Sequence, residues 1–335
     1  MLGYVLKRLG LMGFMLTGLV LITFTISNVT PADPAALAAG PDATRDMVET
    51  VRKEYGLDRP LPEQLVRYVR GILEGDLGRS IVTGRGVTEE LALFFPATFE
   101  LVTIAMLLGV GLGVPLGMLS AVRRNSGLDH ATRVLAVSGV ALPAFWFGLV
   151  LQLVVAVQLG LLPTSGRLSI VTVPPPAVTN MYLLDSLLAG RPDIFLEALS
   201  YAVLPAIVLC FPCLAAIIRV NRAEMIEVLG SDYVMAHRAH GLSRARLVGG
   251  RALRHAMLPT LALIGLRYGW MLGGTVLVET VFDWPGIGLY AVNAAIASDF
   301  KPIMGVTLLI GVNFMLANLL VDLAYGWLDP RLRAA

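Results

Sequence analysis

The two histidines of the central polar segment are the residues whose types and spacing come nearest to a metal site. His237 and His240 stand three residues apart, so a helix would place both rings on one side, where they could share a zinc or nickel ion. A stable site needs at least a third ligand, and the chain has only 4 histidines in all. We therefore interpret both rings as solvated and predict that the chain binds no metal.

Motifs for catalysis or for energy coupling are missing as well. The chain contains neither His-Glu-x-x-His nor Gly-x-Ser-x-Gly, and no lysine follows a glycine as the P-loop lysine must. Ion-driven carriers usually place a relay of ionisable residues deep in their helices, whereas most apolar segments here contain none, the exceptions including Glu100 and Asp322 near helix ends, and Arg267. We predict no catalytic residue, no bound cofactor and no ATP site on this chain, and no filter segment typical of a channel stands out.

The composition is that of a membrane protein. Of the 335 residues, 56% are hydrophobic and 15% are charged, which is more apolar surface than a soluble core of this length could bury. A formal net charge of +2, without interleaved basic and aromatic residues, gives no indication of nucleic acid as a partner. Six stretches reach the roughly 20 residues that a spanning helix needs: 9–29, 99–122, 134–161, 200–219, 258–281 and 303–327.

The distribution of arginine and lysine predicts the orientation. These residues concentrate near both termini, after the second stretch, and between the fourth and fifth, while the loops after the third and fifth hold few. By the positive-inside rule, both termini and the arginine-rich connection are cytoplasmic. We divide the chain into a first transmembrane helix (1–29), an extracytoplasmic subdomain (30–96) and a five-helix core (97–335) with a cytoplasmic connection at 220–257, all α-helical.

Within that connection, residues 230–243 form a polar segment with a helix-breaking glycine near each end. About ten residues lie between the breaks, enough for roughly three helical turns. One face of that helix carries Tyr233, Ala236 and Ala239. Two alanines beside a tyrosine make a low surface that fits a groove on another protein, although an ordinary amphipathic surface helix has the same pattern.

The polar segment and its continuation to Pro259 resemble the cytoplasmic loop of ABC importer permeases. The resemblance is to the dipeptide, oligopeptide and nickel permease family, and within it to the first dipeptide permease subunits. Further runs agree in order over essentially the whole chain: 55–60, 75–80, 97–101, 163–167, 279–288 and 318–323. Together these runs are specific for the family and much less so for its cargo.

The resemblance implies the type I ABC importer permease fold in the bacterial inner membrane, with six transmembrane helices and a small extracytoplasmic subdomain after the first. It implies a second homologous permease, two ATP-binding subunits that hold ATP and Mg²⁺, an extracytoplasmic substrate-binding protein, and membrane lipid around the helices. The expected cargo is a di- or oligopeptide. Nickel and glutathione are alternatives within the family, and a stand-alone secondary carrier or channel is the alternative outside it.

By the same resemblance, a coupling helix from the cytoplasmic connection inserts into a cleft on the ATPase. Arg244 and Arg246 lie just beyond that helix and would meet acidic groups there, or would simply be solvated arginines beside the membrane. The residues assigned to coupling are Asp232, Tyr233, Ala236, Arg238, Ala239, Gly241, Leu242, Arg244 and Arg246.

Arg267 departs from the family, which usually has an uncharged residue there. About ten residues into the fifth stretch it would lie near the middle of the bilayer, where arginine is costly unless it faces water or an acid. We hypothesise that Arg267 lines the pathway and binds a carboxylate of the cargo; the alternatives are an ion pair with the partner permease, or snorkelling. Glu279, Phe282 and Trp284 fall in the outer gate region by resemblance, and the two aromatic rings could equally be interfacial anchors.

Overall fold

The computed structural model describes residues 2–29, 34–39, 43–54 and 56–328. Within those ranges every regular element is a helix, which confirms the all-α prediction. The C-terminal arginines used for the orientation, the first residue of the 55–60 run and the side chain of Asp322 lie outside the described residues. The helices are α1 (Leu2–Val29), α2 (Pro34–Ala39), α3 (Arg45–Glu54), α4 (Leu61–Glu74), α5 (Val87–Val122), α6 (Gly127–Ala141), α7 (Ala144–Leu151), α8 (Tyr182–Leu188), α9 (Pro192–Leu229), α10 (Asp232–Ala239), α11 (Arg244–Arg246), α12 (Leu253–Val281), α13 (Ile287–Ile296) and α14 (Phe300–Leu328).

Among the described residues, 5 helices are long and apolar enough to cross a bilayer. A pair of helices joined at a sharp bend gives a sixth span if the pair is counted as one. The five are α1, α5, α9, α14 and the helix that runs from α11 into α12. Several extend well beyond the predicted apolar stretches. Helix α5 begins at Val87, whereas the predicted apolar stretch begins at residue 99. Its first turn is polar and so falls outside the apolar stretch. Glu89 and Glu90 in that turn complement the positive end of the helix dipole.

The third predicted span, 134–161, is not one straight helix. Helices α6 and α7 meet at an angle of 110°. Pro143 lies at the break, where it has no N–H to donate and disfavours a helical conformation at the preceding residue. Leu142 is accordingly extended, with φ −84° and ψ 125°. Beyond Leu151 the chain continues as a π-helix, Gln152–Gln158.

One compact unit contains residues 1–98 and 285–315. Its core joins the start of α5 to α13 and α14 through Val87, Ile287 and Val306. Asp299, 1% exposed, ties the 80–86 loop to the α13–α14 turn, since its Oδ2 accepts hydrogen bonds from Ser80 Oγ at 2.7 Å and from the Ile81 and Val82 amides. The predicted division at residue 96 falls inside α5, and the unit that holds residues 30–96 also includes part of the C-terminal sequence.

The second compact unit contains residues 99–284 and the chain from 316 onward. Helix α9 lies at its centre, and 72% of its most apolar stretch is buried inside the protein. Small residues allow the close approaches: a Cβ on Gly139 of α6 would lie 2.5 Å from the Ala215 Cβ of α9. Pro205 and Pro212 stand inside α9, so the backbone there lacks two amide donors.

Candidate coupling surface and translocation pathway

The polar segment forms a short helix at the predicted place. Helix α10 covers Asp232–Ala239, slightly shorter than predicted. The Ser231 hydroxyl donates to the Val228 carbonyl at 2.7 Å rather than capping α10. Gly241 ends the segment with φ +77°, a left-handed conformation that glycine adopts without strain. The connection predicted at 220–257 is thereby reduced to residues 230–243, because α9 continues to Leu229 and helix resumes at Arg244.

The face predicted for docking is exposed. Tyr233 is 39% exposed, and Ala236 and Ala239 are exposed beside it. Val234 on the opposite side is buried and fastens α10 to the protein. Asp232, Arg238, Arg244 and Arg246 are exposed as well, Gly241 is exposed, and Leu242 is half-buried.

His237 of this segment and His255 of α12 both lie against Tyr233. The rings of Tyr233 and His237 meet edge to face with centroids 4.5 Å apart, and His255 of α12 approaches the same tyrosine at 5.0 Å. Within the part of the chain that the structure describes, no group of three or more His, Cys, Asp or Glu side chains could hold a metal ion.

Beneath α10, the neighbouring helices are joined by an apolar cluster. Met225 of α9 and Ala256 of α12 are fully buried there, together with Ala121 near the end of α5 and Ala252. The last of these belongs to a π-helix, Leu247–Ala252, that links α11 to α12. This cluster thus packs parts of α5, α9 and α12 together next to α10.

A buried ion pair adjoins this cluster, and sequence reasoning missed it. Arg222 of α9 binds Asp129 of α6 in bidentate fashion, Nε to Oδ1 at 2.6 Å and Nη2 to Oδ2 at 2.9 Å. Ser120 Oγ of α5 donates to Asp129 Oδ1 at 2.6 Å, and the Asn125 amide donates to Oδ2 at 2.9 Å. Asp129 is 0% exposed. The sequence contains one signal for this pair: an acid lies in the first turn of one helix, and an arginine lies in a later helix.

Arg267 lies on α12 and is half-buried. Its Nε is buried and has no hydrogen-bond partner among the described residues, and no described carboxylate lies within ion-pair distance of it. Among the carboxylates that the structure describes, none therefore compensates the guanidinium.

The residues predicted for the outer gate are interior residues. Glu279 is 0% exposed, Phe282 2% and Trp284 1%. Both rings are thus enclosed by protein, whereas an interfacial anchor presents its ring to lipid headgroups. The Phe282 carbonyl accepts a hydrogen bond from the Gly166 amide at 2.9 Å, which ties the turn after α12 to the 159–181 loop.

The same loop carries a second buried ion pair that was not predicted. Arg167 Nη2 donates to Glu100 Oε2 of α5 at 2.6 Å, and the two side chains are 7% and 6% exposed. The guanidinium stacks over the ring of Tyr182 at 3.8 Å and stands 5.4 Å from the ring of Trp284. The Leu183 amide donates to the other carboxylate oxygen at 2.7 Å. Arg167 thus fastens the loop over the turn that carries Trp284.

Comparison with known families assigns nearly the whole chain. Residues 113–334 match the family described as binding-protein-dependent transport system inner membrane component. Residues 1–102 match the N-terminal region of binding-protein-dependent transport system membrane components.

Full-length relatives point the same way. A probable D,D-dipeptide transport system permease protein of Escherichia coli K12 is 46% identical over 315 residues, 94% of this chain and 93% of the relative. A dipeptide transport system permease protein of the same strain is 40% identical over 99% of both chains. A glutathione transport system permease protein of Pectobacterium atrosepticum is 38% identical, again over 99% of both.

Proposed function

This chain belongs to the family of binding-protein-dependent inner-membrane transport components, and from that premise we propose how it works as a permease subunit. It is a multi-pass subunit of a bacterial ABC importer and has a transport role rather than an enzymatic one. The cargo we assign is a di- or oligopeptide, because relatives named for dipeptide transport match the chain at 40–46% identity over nearly its full length. Glutathione is the second candidate, on the 38% identity of the glutathione permease.

The complete importer, in this proposal, contains a second homologous permease, two ATP-hydrolysing subunits and an extracytoplasmic binding protein. ATP and Mg²⁺ bind to the ATPase subunits. Both termini and α10 face the cytoplasm, in agreement with the arginine excess around α10 and the positive-inside rule. Membrane lipid surrounds the spanning helices.

The observation that carries the coupling assignment is the exposed Tyr233, Ala236 and Ala239 face of α10. A short helix that buries Val234 on its inner side and has a low outer face fits a cleft on the ATPase. Gly241 sets the direction of the chain that leaves the helix, and Arg244 and Arg246 stand where acidic groups of the ATPase could meet them. ATP binds the closed ATPase dimer with greater affinity, so closing the dimer moves α10 and shifts the bundle from inward-open to outward-open.

Arg267 is the pathway residue of this proposal. An arginine in a spanning helix is costly unless it meets water or an anion, and none of the described carboxylates pairs with this one. A peptide C-terminus supplies such an anion, and the guanidinium can bind it through two parallel hydrogen bonds. Glu279, Phe282 and Trp284 form the packed interior of the outer gate in this proposal, with Phe282 and Trp284 held in place beneath the loop that Arg167 fastens.

The test of the coupling assignment is peptide uptake by the assembled importer with Ala236→Glu or Gly241→Val. The first variant places a charge in the cleft, and the second penalises the left-handed backbone at residue 241. Both should abolish uptake and binding-protein-stimulated ATP hydrolysis while the subunit still inserts into the membrane. Arg124→Glu, which places a carboxylate at an exposed position in the α5–α6 turn outside the coupling segment, is the control and should transport normally. Full transport by either test variant would refute the docking of α10.

A further inference from the structure

A cavity of about 480 Å³ lies in the compact unit formed by residues 1–98 and 285–315. Its volume is within the range of small-molecule sites. Phe24 and Ser27 of α1, Met304 of α14, and the polar face of α4 line it. None of the coupling or pathway residues belongs to it.

Positive charge predominates in the cavity wall. The charged side chains that line it are Arg67, Arg70, Arg79, Lys301, Glu74 and Asp76. Glu74 is already paired with Arg70 at 2.8 Å, and Asp76 Oδ1 accepts a hydrogen bond from the Gly78 amide at 2.9 Å. Among the described residues, no carboxylate reaches ion-pair distance of Arg67 or Lys301. The Gly78 amide leaves the charge of Asp76 in place, but four cations face two carboxylates in the wall, and Arg67 and Lys301 are the cations that an anion could bind.

Packing holds Lys301 in place. A Cβ on Gly78 would lie 3.3 Å from Lys301 Cδ, so the stem of the lysine passes where that glycine has no side chain. Its Nζ stands 5.4 Å from the centroid of the Tyr68 ring, and Tyr68 is itself buried. The cation is thus positioned by its surroundings, which lowers the entropy cost of binding an anion.

The cavity lies at the level where two spans end. The apolar stretch of α1 ends at Ser27, and that of α14 begins at Phe300. Residues from both ends line the cavity. The end of an apolar span is where the hydrocarbon of a bilayer gives way to headgroups, so the cavity stands at headgroup depth.

Helix α4 has the properties of a helix that lies in the membrane surface. Tyr68 and Ile72 on one side pack against α1 and α14. On another side, Val66, Val69 and Leu73 recur at i, i+3, i+7 and are 68%, 38% and 83% exposed. An exposed apolar stripe on a helix with a polar face is typical of interfacial helices.

We propose that this cavity binds the anionic headgroup of a phospholipid from the adjoining leaflet, with the acyl chains beside the stripe of Val66, Val69 and Leu73. Arg67 and Lys301 bind the phosphate. A peptide carboxylate would also bind the two cations, but a peptide ligand would not account for the apolar stripe next to the site or for its position at headgroup depth. The stripe and the depth therefore decide for lipid.

The experiment measures lipid retained by the complete importer, purified in mild detergent from membranes that contain phosphatidylglycerol. Native mass spectrometry should find phosphatidylglycerol on the wild-type complex. Arg67→Gln combined with Lys301→Gln should reduce the retained anionic lipid at least tenfold, since each lost contact is a charge-assisted hydrogen bond. Arg45→Gln, which removes an exposed charge from α3 outside the cavity, should retain as much lipid as wild type.

A second variant tests the acyl-chain side without touching the core. Leu73→Gln alters a side chain that is 83% exposed, and it should weaken retention of phosphatidylglycerol while leaving binding of glycerol 3-phosphate unchanged. Unchanged retention in the Arg67/Lys301 double variant would overturn the proposal. So would equal binding of glycerol 3-phosphate and phosphatidylglycerol, which would make this a free-phosphate site, or displacement of the lipid by a dipeptide, which would make it a cargo site.

Discussion

Removing one partner of the Asp129–Arg222 pair should destabilise this subunit severely. The carboxylate is 0% exposed and the arginine side chain 20%, so water replaces little of what either substitution removes. Breaking a buried pair by deleting one partner costs about 3–5 kcal/mol. Arg222→Met should lie at the upper end, because Asp129 would keep only its bonds from Ser120 and Asn125 and a contact with Arg133 at 3.5 Å.

Asp129→Asn should cost less than Arg222→Met. The amide keeps the shape of the side chain and can still accept one hydrogen bond, and the partly exposed arginine can turn toward solvent. Combining the two substitutions removes the unpaired charge that each single change leaves behind. We therefore expect the double variant to be less destabilised than the sum of the singles, by about 2–3 kcal/mol.

The measurement is reversible unfolding of the purified subunit in mixed micelles by increasing SDS, followed through tryptophan fluorescence. The control is Arg191→Met, which removes a pair with Asp193 of the same 2.6 Å length whose side chains are 55% and 61% exposed. That change should leave the unfolding midpoint unchanged, because exposed pairs contribute little. Strict additivity of Asp129→Asn and Arg222→Met would refute the reasoning, since it would mean that the two groups do not stabilise each other.

Three further expectations concern single positions. Arg267→Gln should change the peptide preference of uptake without loss of assembly, and an unchanged substrate profile in competition assays would favour an ion pair with the second permease. Gly265→Ala should destabilise the subunit by about 1–3 kcal/mol, because the new Cβ would overlap the side chain of Val321. Gly273→Ala on the same helix, where the site is open, should leave stability unchanged, and thermal unfolding in detergent would measure both. Burial acts to raise the pKa of Asp185, but hydrogen bonds from Thr179 and neighbouring amides hold the pKa below its ordinary 3.8. The carboxylate should therefore stabilise the fold above pH 3.8 and lose this effect as the pH falls through its lowered pKa. Asp185→Asn should flatten the pH dependence of thermal stability below about pH 4.

The sequence predicted features that depend on neighbouring residues. The spans follow from runs of apolar residues, and α10 follows from glycines that flank a short helical pattern. The exposure of Ala236 and Ala239 follows from their spacing on that helix. Each of these signals lies within a few turns of the element that it predicts, so no knowledge of the tertiary structure was needed.

Features that depend on distant residues were missed. Glu100 and Arg167 are 67 residues apart, and Asp129 and Arg222 are 93 apart. An acid near the end of an apolar stretch looks like a boundary residue until the helix that faces it is known. The bend at Pro143 was missed for a related reason, because the apolar residues on both sides of the proline form one uninterrupted run of spanning length.

The two sides of α10 differ in stiffness, and this difference bears on the proposed coupling. On one side α9 is a continuous helix of 38 residues, held to α6 by the bidentate Arg222–Asp129 pair and to α5 by the hydrogen bond from Arg222 to Ser120. On the other side the chain passes through a π-helix that contains Gly249 and Gly250, around which there is open space. A push on α10 should therefore move α9 together with the α5–α6 turn, while the π-helix absorbs the change in angle toward α12. When α10 docks as proposed, its displacement by the closing ATPase dimer reaches the pathway through α9. Arg222 is the residue that transfers this movement to α5 and α6.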